Sequence, residues 1–290
     1  MEEAHAPGAA TPEPSDESLA TRAVGGDRLA LEQLLRRHQR FLHDVALRFL
    51  QHPQDAEDAV QEALVRIATR LSSFRGESGF RTWAYRIAMN HLLDVKRSAP
   101  EKVVTSFVCY GEYLARSPDA EPPAPDELPD AALIVEEVRR SCTLGMLLCL
   151  DREQRLAFIL GEILEVGDAA GAEILGVARD TFRQRLARAR QQLHGFLRGR
   201  CGLVDPANPC RCARKTRAFI RDGVVDPARL VFTGEAVDRA RATASRGEAA
   251  VDELAAAIYR GHPSFAPPDL AARVRAAAET GALGVLLQGR

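Results

Sequence analysis

Three of the six cysteines of the chain lie within twelve residues, in the stretch CGLVDPANPCRC. Cys201, Cys210 and Cys212 offer three thiolates, which zinc binds tetrahedrally together with a fourth ligand. His194, on the helical segment before them, is the nearest candidate for that fourth position. The same thiols could instead act as a redox switch, or pack as small apolar residues without any chemistry. The pattern leaves these three interpretations open.

The charges of the chain are segregated, although the net charge of its 290 residues is only −1. Residues 176–217 contain eleven Arg or Lys against two Asp, whereas residues 101–130 contain two basic against seven acidic side chains. Such segregation is typical of a protein with one basic module for nucleic acid.

The first residues, MEEAHAPGAATPEPSDES, are acidic and rich in Pro and Ala, without a basic start or an apolar run. We therefore expect a disordered arm over residues 1–20 and no signal peptide. No window approaches 18 consecutive apolar residues, so we expect no membrane partner. We accordingly expect a cytoplasmic protein, whose reduced thiols make a static disulfide at the cysteine motif unfavourable.

Apolar residues recur at spacings of three and four along the chain, and strand-like alternation is rare, which predicts an all-α fold. The first helical block covers residues 27–96, with Pro53 in the first turn of its second helix. The Pro-rich, acidic stretch PDAEPPAPDELPD then predicts an extended linker within residues 98–130. A second helical block follows the linker, and further helical patterns cover residues 233–259 and 267–289.

Residues 168–200 have the pattern of a helix-turn-helix. The first helix is predicted to end at Leu175, and Gly176 supplies the turn. Asp180 is predicted to cap a second helix that begins at Thr181. The apolar positions of that helix, predicted to face inward, are Phe182, Leu186 and Leu193; the outward positions are Arg183, Gln184, Arg185, Arg188 and Arg190. Arg and Gln side chains arranged in this way reach base edges and phosphates in a DNA major groove.

Four motifs in order, DAEDAVQEALVRI, FRGESGFRTWAYRIAMNHLLDVKR, LDREQRLAFILGEIL and the helix-turn-helix, resemble the parts of a bacterial RNA polymerase sigma factor. The resemblance is to the two-domain, extracytoplasmic-function type, and it covers residues 20–200. It implies a protein that directs promoter recognition, DNA melting and transcription initiation. No catalytic constellation accompanies these motifs, so we expect no enzyme: the polymerase would supply the chemistry.

The resemblance also implies a division of the chain. After the arm, residues 21–97 correspond to a region 2-like domain that recognises the −10 element and docks on core polymerase. Residues 98–130 correspond to a flexible linker, and residues 131–200 to a region 4-like helix-turn-helix domain for the −35 element. Residues 201–290 form a cysteine-containing helical extension, which we expect to fold back and regulate access to the binding faces.

The family pattern assigns roles to individual side chains. Carboxylates and an amide on one acidic helix would dock on the polymerase clamp: Asp55, Glu57, Asp58, Gln61 and Glu62. Cations, aromatic rings, two amides and a hydroxyl would bind promoter DNA: Arg81, Trp83, Tyr85, Arg86, Asn90, Lys96, Arg97, Arg179, Thr181, Arg183, Gln184, Arg185 and Arg188. Trp83 fits the helix core as well as it fits a base-stacking role.

Two positions depart from the family pattern. Leu150-Asp151 stands where Leu-Pro is usual, and Gly171 replaces a core aliphatic residue, which predicts a poorly packed spot in the second domain. The expected partners are core RNA polymerase, through its clamp and flap, promoter DNA, and either an anti-sigma protein or the chain's own extension. We expect initiation to require no cofactor; zinc or another metal at the cysteine motif is the one cofactor that the sequence leaves open. The alternative functions are a stand-alone helix-turn-helix regulator and a metal or redox sensor.

Overall fold

A computed structural model describes residues 13–124, 127–128, 130–232, 251–261 and 267–279. Within these ranges the backbone is helical, and a single isolated bridge, between Cys201 and Cys210, stands in place of any β-strand. The all-α prediction is therefore confirmed. None of the helices in the described ranges is long and apolar enough to cross a membrane.

Four helices form the N-terminal bundle: α1 (Asp16–Val24), α2 (Arg28–Leu50), α3 (Pro53–Arg70) and α4 (Phe80–Asp94). The side chain of Asp27 caps α2 by accepting the Ala30 N–H at 3.0 Å. Gln51, with φ of 55°, ends that helix, and Pro53 opens α3 as predicted. The apolar faces of α2, α3 and α4 meet in one core, which places the acidic face of α3 and the basic face of α4 outward.

The predicted disordered arm over residues 1–20 is wrong at its C-terminal end. The Ser15 side chain accepts the Ser18 N–H and begins α1, whose Leu19 is fully buried against the bundle. Arg37 of α2 also binds Asp16 at 3.1 Å, which fixes this helix in place. Residues 1–12 lie outside the described part of the chain.

The predicted flexible linker is wrong over its first half, which contains two helices, α5 (Ala99–Val103) and α6 (Phe107–Arg116). A capping box between Ser98 and Glu101 begins α5. In α6, the side chains of Tyr110 and Leu114 are buried. The Pro-rich composition that predicted an extended chain begins only after this helix, and the Ser-Ala-Pro-Glu pattern before it was the signal that sequence analysis missed.

The helix-turn-helix unit comprises α7 (Ala131–Gly145), α8 (Arg152–Phe158), α9 (Asp168–Leu175) and α10 (Arg179–Arg200). A 3₁₀ turn (Met146–Cys149) follows α7, and a π-helical turn (Ile159–Ile163) follows α8. The side chain of Asp151 accepts the Gln154 N–H at 2.7 Å, so the unusual Leu150-Asp151 pair begins α8 with an acidic cap.

The turn between α9 and α10 follows the sequence prediction, with one correction. Gly176 ends α9 in the left-handed conformation, at φ of 64°. However, Asp180 does not cap α10, because that helix begins earlier, at Arg179, after Ala178. The three residues predicted to face inward on α10 are all buried: Phe182, Leu186 and Leu193.

Gly171 does not leave the poorly packed spot that the sequence predicted. The ring of Phe182 occupies the space of the missing side chain, since a Cβ built on Gly171 would lie 2.5 Å from the Phe182 Cζ. Phe182 is itself fully buried. The glycine and the phenylalanine are therefore complementary, and together they pack α9 closely against α10.

We predict that Gly171→Ala destabilises the protein, because the methyl group would overlap the Phe182 ring. Overpacking of this kind costs about 1–3 kcal/mol, which exceeds the gain in helix propensity of about 1 kcal/mol. Urea unfolding followed by circular dichroism measures the change. Gly195→Ala is the control: no atom lies within 4 Å of the Cβ position in α10. It should leave stability unchanged or raise it, and a similar loss in both variants would contradict this packing.

The extension contributes α11 (Cys212–Arg221), α12 (Val251–Arg260) and α13 (Leu270–Glu279). The first packs on α7 and the second on the π-helical turn, α10 and α7, whereas α13 packs on α2 and α3. The extension therefore contacts both the helix-turn-helix unit and the N-terminal bundle. Of the helical patterns predicted for 233–259 and 267–289, residues 233–250 and 280–289 lie outside the described ranges.

Candidate nucleic-acid and polymerase interfaces

The exposed face of α4 carries most of the predicted −10 contacts. Arg81, Arg86 and Asn90 are exposed on this helix, and Lys96 and Arg97 are exposed just after it. The Arg81 guanidinium lies over the rings of Phe41 and Tyr85, 5.6 and 5.4 Å from their centroids. The face therefore combines cations for phosphates with one amide for a base edge.

Tyr85 does not belong to that face, although the sequence placed it there. The side chain is 2% exposed and stacks on Phe41 with ring centroids 4.3 Å apart. Its hydroxyl lies 3.2 Å from Nδ1 of His38, and burial raises the pKa of the phenol to about 12. Trp83 is half-buried between Phe74 and Phe80. Both rings follow the apolar stripe of α4 into the bundle, and helical spacing alone could not decide this.

The outer face of α10 is basic but partly neutralised by neighbouring carboxylates. Arg183, Gln184 and Arg188 are exposed, as is Arg179, whereas Thr181 and Arg185 are half-buried. Asp168, in the first turn of α9, pairs with Arg179 at 2.7 Å and with Arg183. These hydrogen bonds, Arg179 first, lower the pKa of Asp168 to about 2, so the carboxylate stays charged at neutral pH. Arg185 binds Glu153 of α8.

We predict that Asp168→Asn raises the affinity of the chain for duplex DNA several-fold at low salt. The change releases two guanidinium groups toward phosphates and should also steepen the dependence of affinity on salt. Fluorescence anisotropy with a labelled duplex at several salt concentrations measures both effects. Glu112→Gln is the matched control, since it removes one exposed negative charge on α6, which contacts α10 at its C-terminal end, near Phe196 and Arg200, and not at Arg179 and Arg183. Equal gains in both variants would show that net charge alone is responsible.

The acidic face of α3 contains the five predicted polymerase contacts. Asp58 and Glu62 are exposed, and Asp55, Glu57 and Gln61 are half-buried. Arg66 pairs with Glu62 along the same helix, at 2.9 Å. The acidic residues at the start of α3 also suit the positive end of its dipole, so they stabilise the helix as well as forming a surface for a basic partner.

The basic face of α4 contacts the helix-turn-helix unit, which the sequence did not predict. Both Nε and Nη2 of Arg86, on α4, donate to the main-chain carbonyl of Glu173 in α9, over 2.9 and 2.7 Å. Around this contact α4 packs against α9. A main-chain acceptor leaves no trace in sequence, so this contact becomes visible only in the fold.

The cysteine motif lies around a small apolar cavity of about 20 Å³. Cys201, Cys210 and Cys212 line it, as predicted, and the fourth thiol there belongs to Cys142 of α7. His194, the predicted fourth ligand, does not line this cavity; it is buried on α10. The Gly202 N–H donates to the Cys210 carbonyl at 3.2 Å and holds the loop closed.

Burial makes the thiols of Cys142, Cys210 and Cys212 poor nucleophiles. It raises the pKa of Cys212 to about 12 and raises those of Cys142 and Cys210 as well, with the neighbouring cysteines adding to the effect. High pKa values disfavour the thiolate that a redox switch requires. Across the described ranges, no group of three or more His, Cys, Asp or Glu side chains is arranged to hold a metal ion. The metal site stays a prediction, and the thiols would have to reorient to form it.

A family model for Sigma-70 region 2 matches residues 34–100, which contain most of α2 together with α3 and α4. The chain is 33% identical over 187 residues to the ECF RNA polymerase sigma factor SigM of Mycobacterium tuberculosis, covering 64% of this chain and 86% of that protein. The chain belongs to the extracytoplasmic-function sigma factors.

Other members of the family give similar matches. The chain is 30% identical over 191 residues to the sigma factor CnrH of Cupriavidus metallidurans, covering 64% of this chain and 96% of that protein. The ECF sigma-E factor of Escherichia coli is 29% identical over 183 residues, covering 62% and 92%. The solved structure of CnrH in complex with the cytosolic domain of CnrY aligns with a TM-score of 0.43 at 26% identity, over 63% of this chain and 97% of that chain.

As a sigma factor, the protein directs RNA polymerase to promoters and acts by binding, not as an enzyme. Family membership also excludes the stand-alone regulator. About a third of the chain lies outside each match, so the family does not account for the whole protein.

Proposed function

We propose that this sigma factor has a closed state, held in part by its own extension, and an open state that starts transcription. In the open state the acidic face of α3 docks on the polymerase clamp. Arg86 and Asn90 of α4, with Lys96 and Arg97 after it, bind the unpaired strand of the −10 element. The basic face of α10 binds the −35 duplex, and core polymerase supplies all of the catalytic chemistry.

The chemistry of the two faces supports these roles. An exposed amide such as that of Asn90 offers both a donor and an acceptor to a base edge, and cations beside it bind the backbone phosphates. Arg183, Gln184 and Arg188 of α10 have the lengths and donor sets that reach bases in a major groove. Because unpairing bases costs free energy, the contacts made by α4 to the captured strand must offset it.

The Arg86–Glu173 contact is the observation that carries the proposal of a closed state. The −10 and −35 elements lie roughly one and a half to two helical turns apart, which is about 50–70 Å at about 34 Å per turn. The two faces cannot occupy both elements while α4 hydrogen-bonds to α9 at 2.7 Å. The units must therefore separate before they bind a promoter together.

The extension supports the closed state by binding both units. Arg275 of α13 pairs with Glu32 of α2 at 2.8 Å, and Asp269 pairs with Arg36 at 2.8 Å. At the other end, Arg260 of α12 pairs with Glu162 of the helix-turn-helix unit at 2.9 Å. In this role the extension replaces a separate inhibitor.

A separate anti-sigma protein remains a second proposed partner, because CnrH is bound to the cytosolic domain of CnrY in its solved structure. We also propose that the protein acts in the cytoplasm, where RNA polymerase meets the chromosome. Neither proposal depends on the extension.

We predict that Leu270→Asp increases transcription by the full chain with core polymerase several-fold. Leu270 and Ala271 are fully buried where α13 meets the bundle, so a charge at Leu270 expels the helix. Run-off transcription from a cognate promoter measures the effect. Ala276→Asp, on the exposed side of α13, is the control and should behave as wild type. Lower or unchanged transcription with Leu270→Asp would refute inhibition by the extension, and no run-off product from any variant would refute the initiation role.

A further inference from the structure

A buried carboxylate of the linker, Glu101, lies where the two DNA-binding units meet. Its side chain is 3% exposed, and the capping box with Ser98 fixes it at the start of α5. Ser98 donates its hydroxyl to the main-chain carbonyl of Leu50, at the end of α2, over 2.7 Å. The linker is therefore attached to the N-terminal bundle at this point.

Arg155 of α8 reaches this carboxylate from the helix-turn-helix unit. Its Nη1 donates to Glu101 Oε1 and to the Phe49 carbonyl of α2, both over 2.8 Å. Its Nε and Nη2 donate to main-chain carbonyls of its own unit, those of Leu147, Leu148 and Leu150. One buried guanidinium thus joins three parts of the chain.

Arg152, one turn earlier on α8, binds the same carboxylate. Its Nε and Nη2 donate to the two oxygens of Glu101 over 3.2 and 3.1 Å, in a bidentate arrangement. Its Nη1 donates to the carbonyls of Leu93 and Val95, where α4 ends, over 2.8 and 2.6 Å. A cation at that position also suits the negative end of the α4 dipole.

The charges of this cluster depend on one another. Although burial raises the pKa of Glu101, the attraction and hydrogen bonds of Arg155 and Arg152 outweigh it and lower the pKa below its ordinary value. Both guanidinium groups also lie over the ring of Phe49, at 4.9 and 5.1 Å from its centroid. Loss of the carboxylate would leave two cations in a buried interface without a counter-charge, which is costly.

We propose that Glu101 is the latch of the closed state: it holds the helix-turn-helix unit against the N-terminal bundle until polymerase separates them. The inference rests on the proposed function, which requires the two units to part. Water solvates Glu101, Arg152 and Arg155 once the units separate, so opening exchanges their ion pairs for hydration. The linker is then a regulatory element in addition to a tether.

Glu101→Gln in the full chain tests the latch. In the closed state the variant buries two unpaired cations, whereas in the open state water solvates both. We expect the ratio of open to closed molecules to rise at least about tenfold. A tenfold change needs only a fraction of the free energy that is lost when one partner of a buried ion pair is removed. Small-angle X-ray scattering of the free protein should show a radius of gyration above that of wild type. A compact chain of 290 residues has a radius of about 19 Å.

Affinity for core polymerase supplies a second readout. Binding that separates the units must supply the free energy of opening, so a larger open fraction should tighten the apparent affinity by up to the same factor. Glu136→Gln is the matched control: it also removes a carboxylate with two arginine partners, Arg139 and Arg140, but all three lie on α7. The control should stay compact, and equal expansion in both variants would overturn the proposal.

Arg152→Gln guards against a failure of Glu101→Gln to fold, which circular dichroism would detect. Arg152 is less buried, at 18% exposure, and its loss should open the chain in the same direction. The double variant should open little further than Glu101→Gln alone, because both changes remove one shared contact.

A folded Glu101→Gln or Arg152→Gln chain that stays compact would overturn the latch. Absence of transcription from wild type and variants alike would instead overturn the initiation role, whatever the scattering shows.

Discussion

The arrangement of this sigma factor depends on one buried guanidinium. Arg155, 2% exposed, donates hydrogen bonds to the bundle, to the linker and to its own helix-turn-helix unit at the same time. A buried cation is stable only where every donor is matched and a counter-charge lies near, and here the main-chain carbonyls and Glu101 meet both demands. The relative position of the two DNA-binding faces follows from that requirement. It brings α4 against α9, where Arg86 binds the Glu173 carbonyl.

Polar and apolar contacts stabilise different parts of the closed state. The linker holds the units together by ion pairs, whereas α13 covers the bundle with the apolar side chains of Leu270, Ala271 and Val274. Ion pairs exchange readily for hydration, so they allow a reversible junction between the units. Apolar burial makes the extension the more durable cover of α2 and α3. About a third of the chain lies outside the family match, and α12 and α13 belong to that part.

Local signals in the sequence predicted α2, α3 and the helix-turn-helix well, because caps and periodicity act within a few residues, although α1, α5 and α6 were missed. Pro53 at the start of α3, Gly176 in the turn and the buried Phe182 all follow from them. Tyr85 was wrongly assigned to the DNA-binding face, because helical spacing does not decide whether a side chain at the border of two helix faces is buried or exposed. Gly171 was misjudged because the space it leaves is filled from another helix. The contact between α4 and α9 had no sequence signal, since a main-chain carbonyl accepts the hydrogen bonds of Arg86.

The distance between the two units tests the account most directly. Fluorophores at exposed positions 70 of α3 and 192 of α10, introduced without using the native cysteines, would report it by energy transfer. The account predicts one short distance in the free chain and a much longer one in the complex with core polymerase and promoter DNA. A distance that is already long in the free chain, or that does not change on assembly, would contradict it.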